Sequence, residues 1–504
     1  MSGFPWLSAI IFTPWAGALL LAWLRRLGPA VSRWLALAFS LSTLGLGLAA
    51  LAAFHPAEPG YQLVERQQWM PALHVEYHLG LDGMSLLLVL LTGLVAPAAL
   101  LASWRQERTP WLYGLLFLVL QGSALGVFLA LNFFPWFIFW ELSLVPAYFL
   151  IRIWGGSGAA RAAYQFVIYT LGGSAFLLAG FAAIYAVTST LDFPALAAGG
   201  GLAARLGHPW ATVAFLGVFL GLAVKVPLFP FHTWLPPAYA EAPTGVSMFL
   251  TGVMSKMGVY GFFRILWPLF PASLHAAAGT LAWLALGGAV AGALAALVQE
   301  DLKRLLAYSS LSHVSFCLLA LFAVAGAGPA GAAVSVAAAL NGAVLQMFNH
   351  GVTAAALFAC VGMLEARGGG RRGLHDFGGL RATAPVFAGL CGIALFASLG
   401  LPGLNGFISE FLILRGVFGL APGFAAGACL ALLLTAVFLL NFYQRVFHGP
   451  AGAGAGHGPD LSGRERLTLA PALLVMFLVG LVPQLALGLI NPLVTAWAAG
   501  GPRP

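Results

Sequence analysis

Runs of roughly 20 apolar residues follow one another along all 504 residues of this chain, each long enough to cross a ~30 Å hydrocarbon layer as a helix. Lipid offers no partner to a backbone N–H or C=O, so such runs must close their hydrogen bonds internally. No stretch remains for an extramembrane catalytic domain. Composition agrees: 61% of residues are hydrophobic and 8% charged, with a mean hydropathy of +0.94, where soluble domains carry about 25% charged residues. The expected fold is an all-α polytopic membrane protein buried in the lipid bilayer.

The pattern predicts about fourteen transmembrane helices, at roughly 6–24, 32–54, 80–103, 111–131, 133–151, 163–188, 210–240, 244–267, 276–298, 303–325, 330–364, 383–414, 423–447 and 467–495. No positive charge precedes the first run and Arg25 and Arg26 follow it, the reverse of a secretory signal. With the N-terminus outside, sixteen Lys and Arg residues fall in inner loops. Five fall on the outer side: Arg66, Arg205, Arg264, Arg415 and Arg503. An even number of spans returns the C-terminus to the outside. The net charge of +8 therefore reads as a topology signal spread over helix ends, which argues against nucleic acid as a partner.

Two spans carry Pro or Gly in their middles, TVAFLGVFLGLAVKVPLFPFHTWLPPAYA and PVFAGLCGIALFASLGLPGLNGFISEFLILRG, and read as broken helices. Aligning Pro227 with Pro402 suggests an internal repeat. Each copy would hold five spans, an odd number, so the second would be inverted in the membrane. The expected divisions are a three-helix segment (1–110), a first inverted repeat (111–267), a second (268–448), and a Gly-rich inner connector at 449–467 leading to the last helix (449–504).

Charges inside apolar runs carry the chemistry, because each costs about 2.5–3.5 kcal/mol at the centre of a span unless it is compensated. Two of the three lysines, Lys225 and Lys256, lie deep in such runs, as do Glu141 and Glu410. Desolvation can bring a lysine's pKa toward neutrality while arginine stays charged, so lysine suits proton transfer. Glu141 and Lys225 are the natural pair; the alternative is a static ion pair that only locks helices. His232, His313 and His350 lie within or beside spans and are candidates for a proton relay, with haem ligation or plain packing as alternatives. Asp82, Glu241, Glu300 and Asp301 fall at span ends, where a cap or solvent would satisfy them. Cys317, Cys360, Cys391 and Cys429 show no zinc, haem or iron–sulfur spacing, and no nucleotide-binding loop or hydrolase triad is present.

These motifs, with GLDGMSLLLVLLT, FWELSLVPAYFLI, AVKVPLFPFHTWLP, DLKRLLAYSSLSH and GLPGLNGFISEF, resemble the antiporter-like subunits of respiratory complex I across nearly the whole chain. The family is shared with multi-subunit cation/proton antiporters and membrane-bound hydrogenases, and the resemblance is strongest to its subunit M (chain 4) branch. It implies a proton-translocating membrane-arm subunit of an NADH:quinone oxidoreductase in the bacterial cytoplasmic membrane, beside L-type and N-type antiporter-like subunits. NADH, FMN, iron–sulfur clusters and quinone would belong to other subunits, with no cofactor in this chain. Residue by residue, it implies that Glu141 and Lys225 form the charge pair of one half-channel and that Lys256 continues the path. His313 and His350 would lie on the central axis, with Glu410 at the exit, where sister subunits carry lysine. Pro237 and Tyr239 stand where the family commonly has Asp and His, so a role for an acid in that loop is not expected. The rival readings are a sodium/proton antiporter subunit, the equivalent subunit of a hydrogenase or ferredoxin-driven complex, and a passive scaffold.

Overall fold

The computed structural model describes residues 3–26, 28–58, 60–106, 108–198, 202–328, 332–450 and 460–499. Arg503, the start of the run expected at 330–364, and residues 451–459 of the connector expected at 449–467 lie outside them. The chain opens with helices α1 (Trp6–Trp23) and α2 (Pro29–Ala53). A two-stranded antiparallel hairpin follows, β1 (Gln62–Met70) and β2 (Val75–Leu81). This corrects the all-α expectation: His78 and Leu79 of β2 hold Leu131 and Ala130 at the end of a helix, so the hairpin is part of the scaffold.

Next come α3 (Gly83–Ala102), α4 (Pro110–Leu129), α5 (Phe133–Leu142), α6 (Leu144–Trp154) and α7 (Ala159–Thr188), then the short α8 (Phe193–Ala198) and α9 (Leu202–Leu206). Asp82 caps α3 by accepting from the Ser85 N–H, and Asn132 caps α5 through the Phe134 N–H. Helix α10 (Trp210–Lys225) stops where Pro227 and Pro230 remove backbone donors, and the chain resumes as α11 (Leu235–Glu241). A continuous rod from Thr244 to Leu269 comprises α12 (Thr244–Phe249), a π turn (Leu250–Met254), α13 (Ser255–Gly261), a second π turn (Phe262–Leu266) and α14 (Trp267–Leu269). Nothing in the sequence announced the π turns, which bracket Lys256.

The second half has α15 (Pro271–Leu297), α16 (Leu302–Ala327) and α17 (Ala333–Arg367), the short α18 (Leu380–Thr383), then α19 (Pro385–Ser398) and α20 (Asn405–Leu420). Between α19 and α20, Gly400 and Gly403 take φ of 79° and 92° in the segment that interrupts the helix. The chain closes with α21 (Pro422–Phe447), α22 (Gly463–Leu481) and α23 (Gln484–Ala498). The run expected as one last span is bent by 65° between α22 and α23.

Among the described residues, eleven helices are long and apolar enough to cross a membrane, or twelve with the bent α22–α23 pair. The two remaining expected spans are the ones interrupted by Pro and Gly. Their first halves, Trp210–Lys225 and Pro385–Ser398, are shorter apolar helices.

Loop contacts gather at two ends. At one, the arginine end, Arg33 donates to the Gln106 carbonyl, Arg108 to that of Ile153, and Arg367 pairs with Glu465. There Arg372 joins Asp301 and Glu241 at 2.6 and 3.2 Å, so Glu241 is half-buried in an ion cluster rather than solvated at a span end. Burial opposes the charge of Arg372, yet the neighbouring carboxylates, Asp301 first, raise its pKa. At the other, the hairpin end, Glu65 accepts from the Leu7 and Ser8 N–H groups, and Gly83 lies against the Leu489 carbonyl of α23.

Candidate functional site: a buried line of titratable groups

The expected Glu141–Lys225 pair is not in contact. Lys225 ends α10, fully buried, and its Nζ has no hydrogen-bond partner; it lies 5.0 Å from the Trp140 ring centroid and 6.0 Å from that of Phe166. Aromatic faces offset part of the cost of burying the ammonium. Glu141 sits near the α5–α6 junction, its Oε1 also unpartnered, below a laterally open apolar groove of about 540 Å³ lined by residues such as Phe137, Val145 and Tyr148. His232 is partly buried in the break after α10, stacked on Phe229 at 5.3 Å, and its Nδ1 has no partner. No contact joins it to the other histidines.

The remaining four expected residues do meet. Lys256 Nζ lies 2.7 Å from His350 Nδ1 on α17, and the ring centroids of His350 and His313 are 5.4 Å apart. On its other side, His313 Nδ1 is 3.1 Å from Glu410 Oε1, out of line for a hydrogen bond, and its Nε2 is 3.4 Å from the Ser398 hydroxyl. All four side chains are buried. Three helices from distant parts of the sequence, α13, α16 and α17, thus converge on Glu410, in the second turn of α20 just after the break.

Local backbone explains the placement. In the π turn before α13 the Ser255 N–H bonds to the Leu250 carbonyl, leaving the Thr251 carbonyl without its regular i+4 partner. That oxygen accepts from Lys256 Nζ at 2.6 Å and from the Ser255 hydroxyl at 2.8 Å. Lys256 is thereby held at a bend rather than on a smooth helix. At the other end of the line, Glu410 Oε2 packs against Gly400, where a Cβ would come within 2.6 Å of it.

Chemically, a lysine sharing a proton with an imidazole, a second imidazole at ring-contact distance, and a carboxylate beyond it form a sequence of acceptors. Each of these groups can hold or release a proton. Polar side chains flank the line: Asn349 Nδ2 donates to the Asn405 carbonyl at 2.7 Å and to the Ser409 hydroxyl at 3.0 Å, and Ser409 bonds Gln346. Asn349 and Gln346 lie beside His350 in an apolar run of the sequence, where polar residues stand out, whereas Asn405 and Ser409 lie just beyond the break in a span read as interrupted.

Other charges depart from expectation. Asp82 does cap α3, but it is buried and paired with Arg264 at 2.6 Å. Arg264, counted on the outer side at the end of the span expected at 244–267, lies 1% exposed in the second π turn, also bonded to Tyr61 and Tyr260. The signal was an arginine between Phe263 and Ile265, uninterrupted by any turn residue. Asp192, bonded to His78, is a further buried carboxylate. Lys303, at the start of α16, is buried and joined to Glu365 at 2.7 Å. Gln121 on α4 is buried with neither side-chain atom partnered.

Residues 130–435 match the family described as NADH:quinone oxidoreductase/Mrp antiporter, transmembrane. NADH-quinone oxidoreductase subunit M of Mycobacterium tuberculosis is 35% identical, covering 98% of this chain and 94% of the relative. The protein of that name from Rhodobacter capsulatus is 36% identical over 97% and 95%. Among solved structures, a chain of respiratory complex I from Thermus thermophilus superposes with a TM-score of 0.86 at 31% identity, covering 98% of this chain and 99% of that one. A matched core that contains every member of the buried line, flanked by similarity over the full length, leads to one conclusion: the chain belongs to the NADH:quinone oxidoreductase/Mrp antiporter membrane-subunit family, in its subunit M branch.

Proposed function

We propose that this chain is a proton-translocating membrane-arm subunit of an NADH:quinone oxidoreductase, moving protons while other subunits carry electrons from NADH to quinone. NADH, flavin, iron–sulfur clusters and quinone belong to those other subunits. In this reading the two interrupted helices count as spans, giving fourteen, and 111–267 and 268–448 are two inverted repeats. The arginine end faces the bacterial cytoplasm, both termini lie on the periplasmic side, and L-type and N-type subunits are the neighbours.

The observation that carries the proposal is the contact line Lys256, His350, His313, Glu410, buried in a chain with apolar walls. Lys225 stands apart as the group that responds to field. A charge change in a neighbouring subunit alters the separation or charge state of Glu141 and Lys225. The altered field changes the proton affinity of Lys256, and the line passes the proton to Glu410. The lysines hold protons at Nζ, the imidazoles exchange one nitrogen's proton for the other's, and the Glu410 carboxylate receives.

The test is NADH-driven acidification of inverted membrane vesicles carrying Lys225→Ala at matched complex content. Acidification is expected to be lost while the complex assembles; acidification at the wild-type rate would refute the assignment.

A further inference from the structure

The buried line ends at Glu410, and the route from there to the hairpin end is set by how α17 meets its neighbours. Helices α17 and α20 touch backbone to backbone beyond Ser409. A Cβ on Gly342 would lie 2.6 Å from the Ile413 nitrogen, and one on Gly416 would lie 2.3 Å from the Ala339 nitrogen. No water-wide gap fits in a seam that admits no Cβ. A proton leaving the polar cluster of Gln346, Asn349 and Ser409 cannot follow that seam outward.

One polar step leads aside. Asn341 lies on α17 five residues nearer the hairpin end than Gln346, about 7.5 Å along the axis. It is buried, and its Nδ2 donates to Asn491 Oδ1 on α23 at 2.9 Å. Its own Oδ1 is buried without a partner, as is Trp497 Nε1 on the same helix α23. A buried amide oxygen costs free energy comparable to a lost hydrogen bond unless water reaches it, so this position calls for an ordered water. Asn491 is exposed. Helices α22 and α23 are bent by 65°, and α23 packs against α17 and against the start of α3 at Gly83, beside the hairpin, with the exposed Asn491 on its length.

Resting on the proton-transport reading above, we propose that protons leave the central cluster by turning out of the α17–α20 seam at Asn341 and passing beneath α23 at Asn491. The two amides are positioning residues. Neither titrates, but each offers a donor and an acceptor that can hold water in a conducting orientation between Gln346 and the surface.

The experiment uses the assembled complex in membranes and two readouts. Asn341→Leu and Asn491→Leu, alike in branching but unable to order water, are expected to lower vesicle acidification per NADH oxidised several-fold, with Asn491→Ser recovering part of it. A merely structural contact would not show that recovery. Separately, Asn341→Cys in a Cys429→Ser background is treated with a charged, membrane-impermeant methanethiosulfonate. Modification is expected only from the hairpin side, with loss of pumping on modification. If Lys225→Ala stops pumping while both leucine variants pump normally, or the thiol reacts only from the arginine side, the exit route is wrong and the proton-pump reading stands. If Lys225→Ala pumps normally, the underlying reading fails and the route with it. Should a leucine variant not assemble, the near-isosteric cysteine decides the matter.

Discussion

The two halves of the buried site differ in how their charges meet. In the first, Glu141 and Lys225 face each other without touching, and the carboxylate borders a laterally open groove. In the second, Lys256, His350, His313 and Glu410 follow one another at contact distances behind closed walls. An open pair responds to distance, since the interaction of separated charges falls smoothly with separation in a low-dielectric medium. A contact line responds to geometry, since proton transfer needs groups within hydrogen-bond reach. On the proposed function, the first region senses and the second conducts.

The strongest way to break this contrast is to keep charge while moving it. Glu141→Gln, which removes the charge, is expected to abolish acidification by inverted vesicles. Glu141→Asp, which retains the charge one methylene further back, is expected to keep most of it; equal loss in both would show that the pair works by contact after all. The same shortening at Glu410 should do more harm. Glu410→Asp withdraws the carboxylate from His313, and pumping is expected to fall several-fold although the charge remains, as a side-by-side vesicle assay would register.

A smaller effect on transport, and a large one on stability, is expected from the Asp82–Arg264 pair. It ties the start of α3 to the second π turn and so fixes the rod that carries Lys256. Arg264→Leu strands a buried carboxylate, which costs about 3–5 kcal/mol. Thermal unfolding of the purified complex should shift down, and Asp82→Asn combined with Arg264→Leu should recover part of the loss. A single variant as stable as the wild type would mean that the pair is dispensable to the scaffold.

The smallest effects lie at the arginine end. Burial pushes the Asp460 carboxyl up, but the N–H groups of Val386, Leu461 and Phe387 outweigh it and hold the carboxyl below the usual range. A depressed carboxylate contributes stability that is present above its ordinary value of about 3.9 and is lost as pH falls through the folded value. Asp460→Asn should therefore lower the unfolding temperature slightly at neutral pH, with the difference from wild type closing in strong acid. Ser462→Ala removes the capping box of α22 and is expected to cost about 1 kcal/mol there. Neither variant should change pumping per complex.

What could be read from residues alone follows from the cost of burying polar groups in lipid. That cost made the helical, many-span class unavoidable, and it marked Lys225, Lys256, Glu141, Glu410 and the histidines as residues needing a reason. It also located the two helix breaks, because Pro227 and Gly400 to Gly403 act on their own backbone. The hairpin was missed because its strands flank a strong apolar run that dominates any window including Gly80 and Leu81. The burial of Arg264 was not legible, because a charge count near a span end cannot tell an exposed turn from the last buried one.

Tertiary structure decided which of those residues meet. Lys256, His313, His350 and Glu410 are separated by 57, 37 and 60 positions in the sequence, so only the packing of α13, α16, α17 and α20 brings them into line. That packing left Lys225 and Glu141 apart, where charge alone suggested contact. It also set the π turn that frees the Thr251 carbonyl, the glycine seam that closes one way out, and the bend that lays α23 over Asn341. Apolar periodicity is a property of each segment and is written locally. The register between helices depends on side-chain volumes contributed by segments hundreds of residues apart, and appears only when they pack.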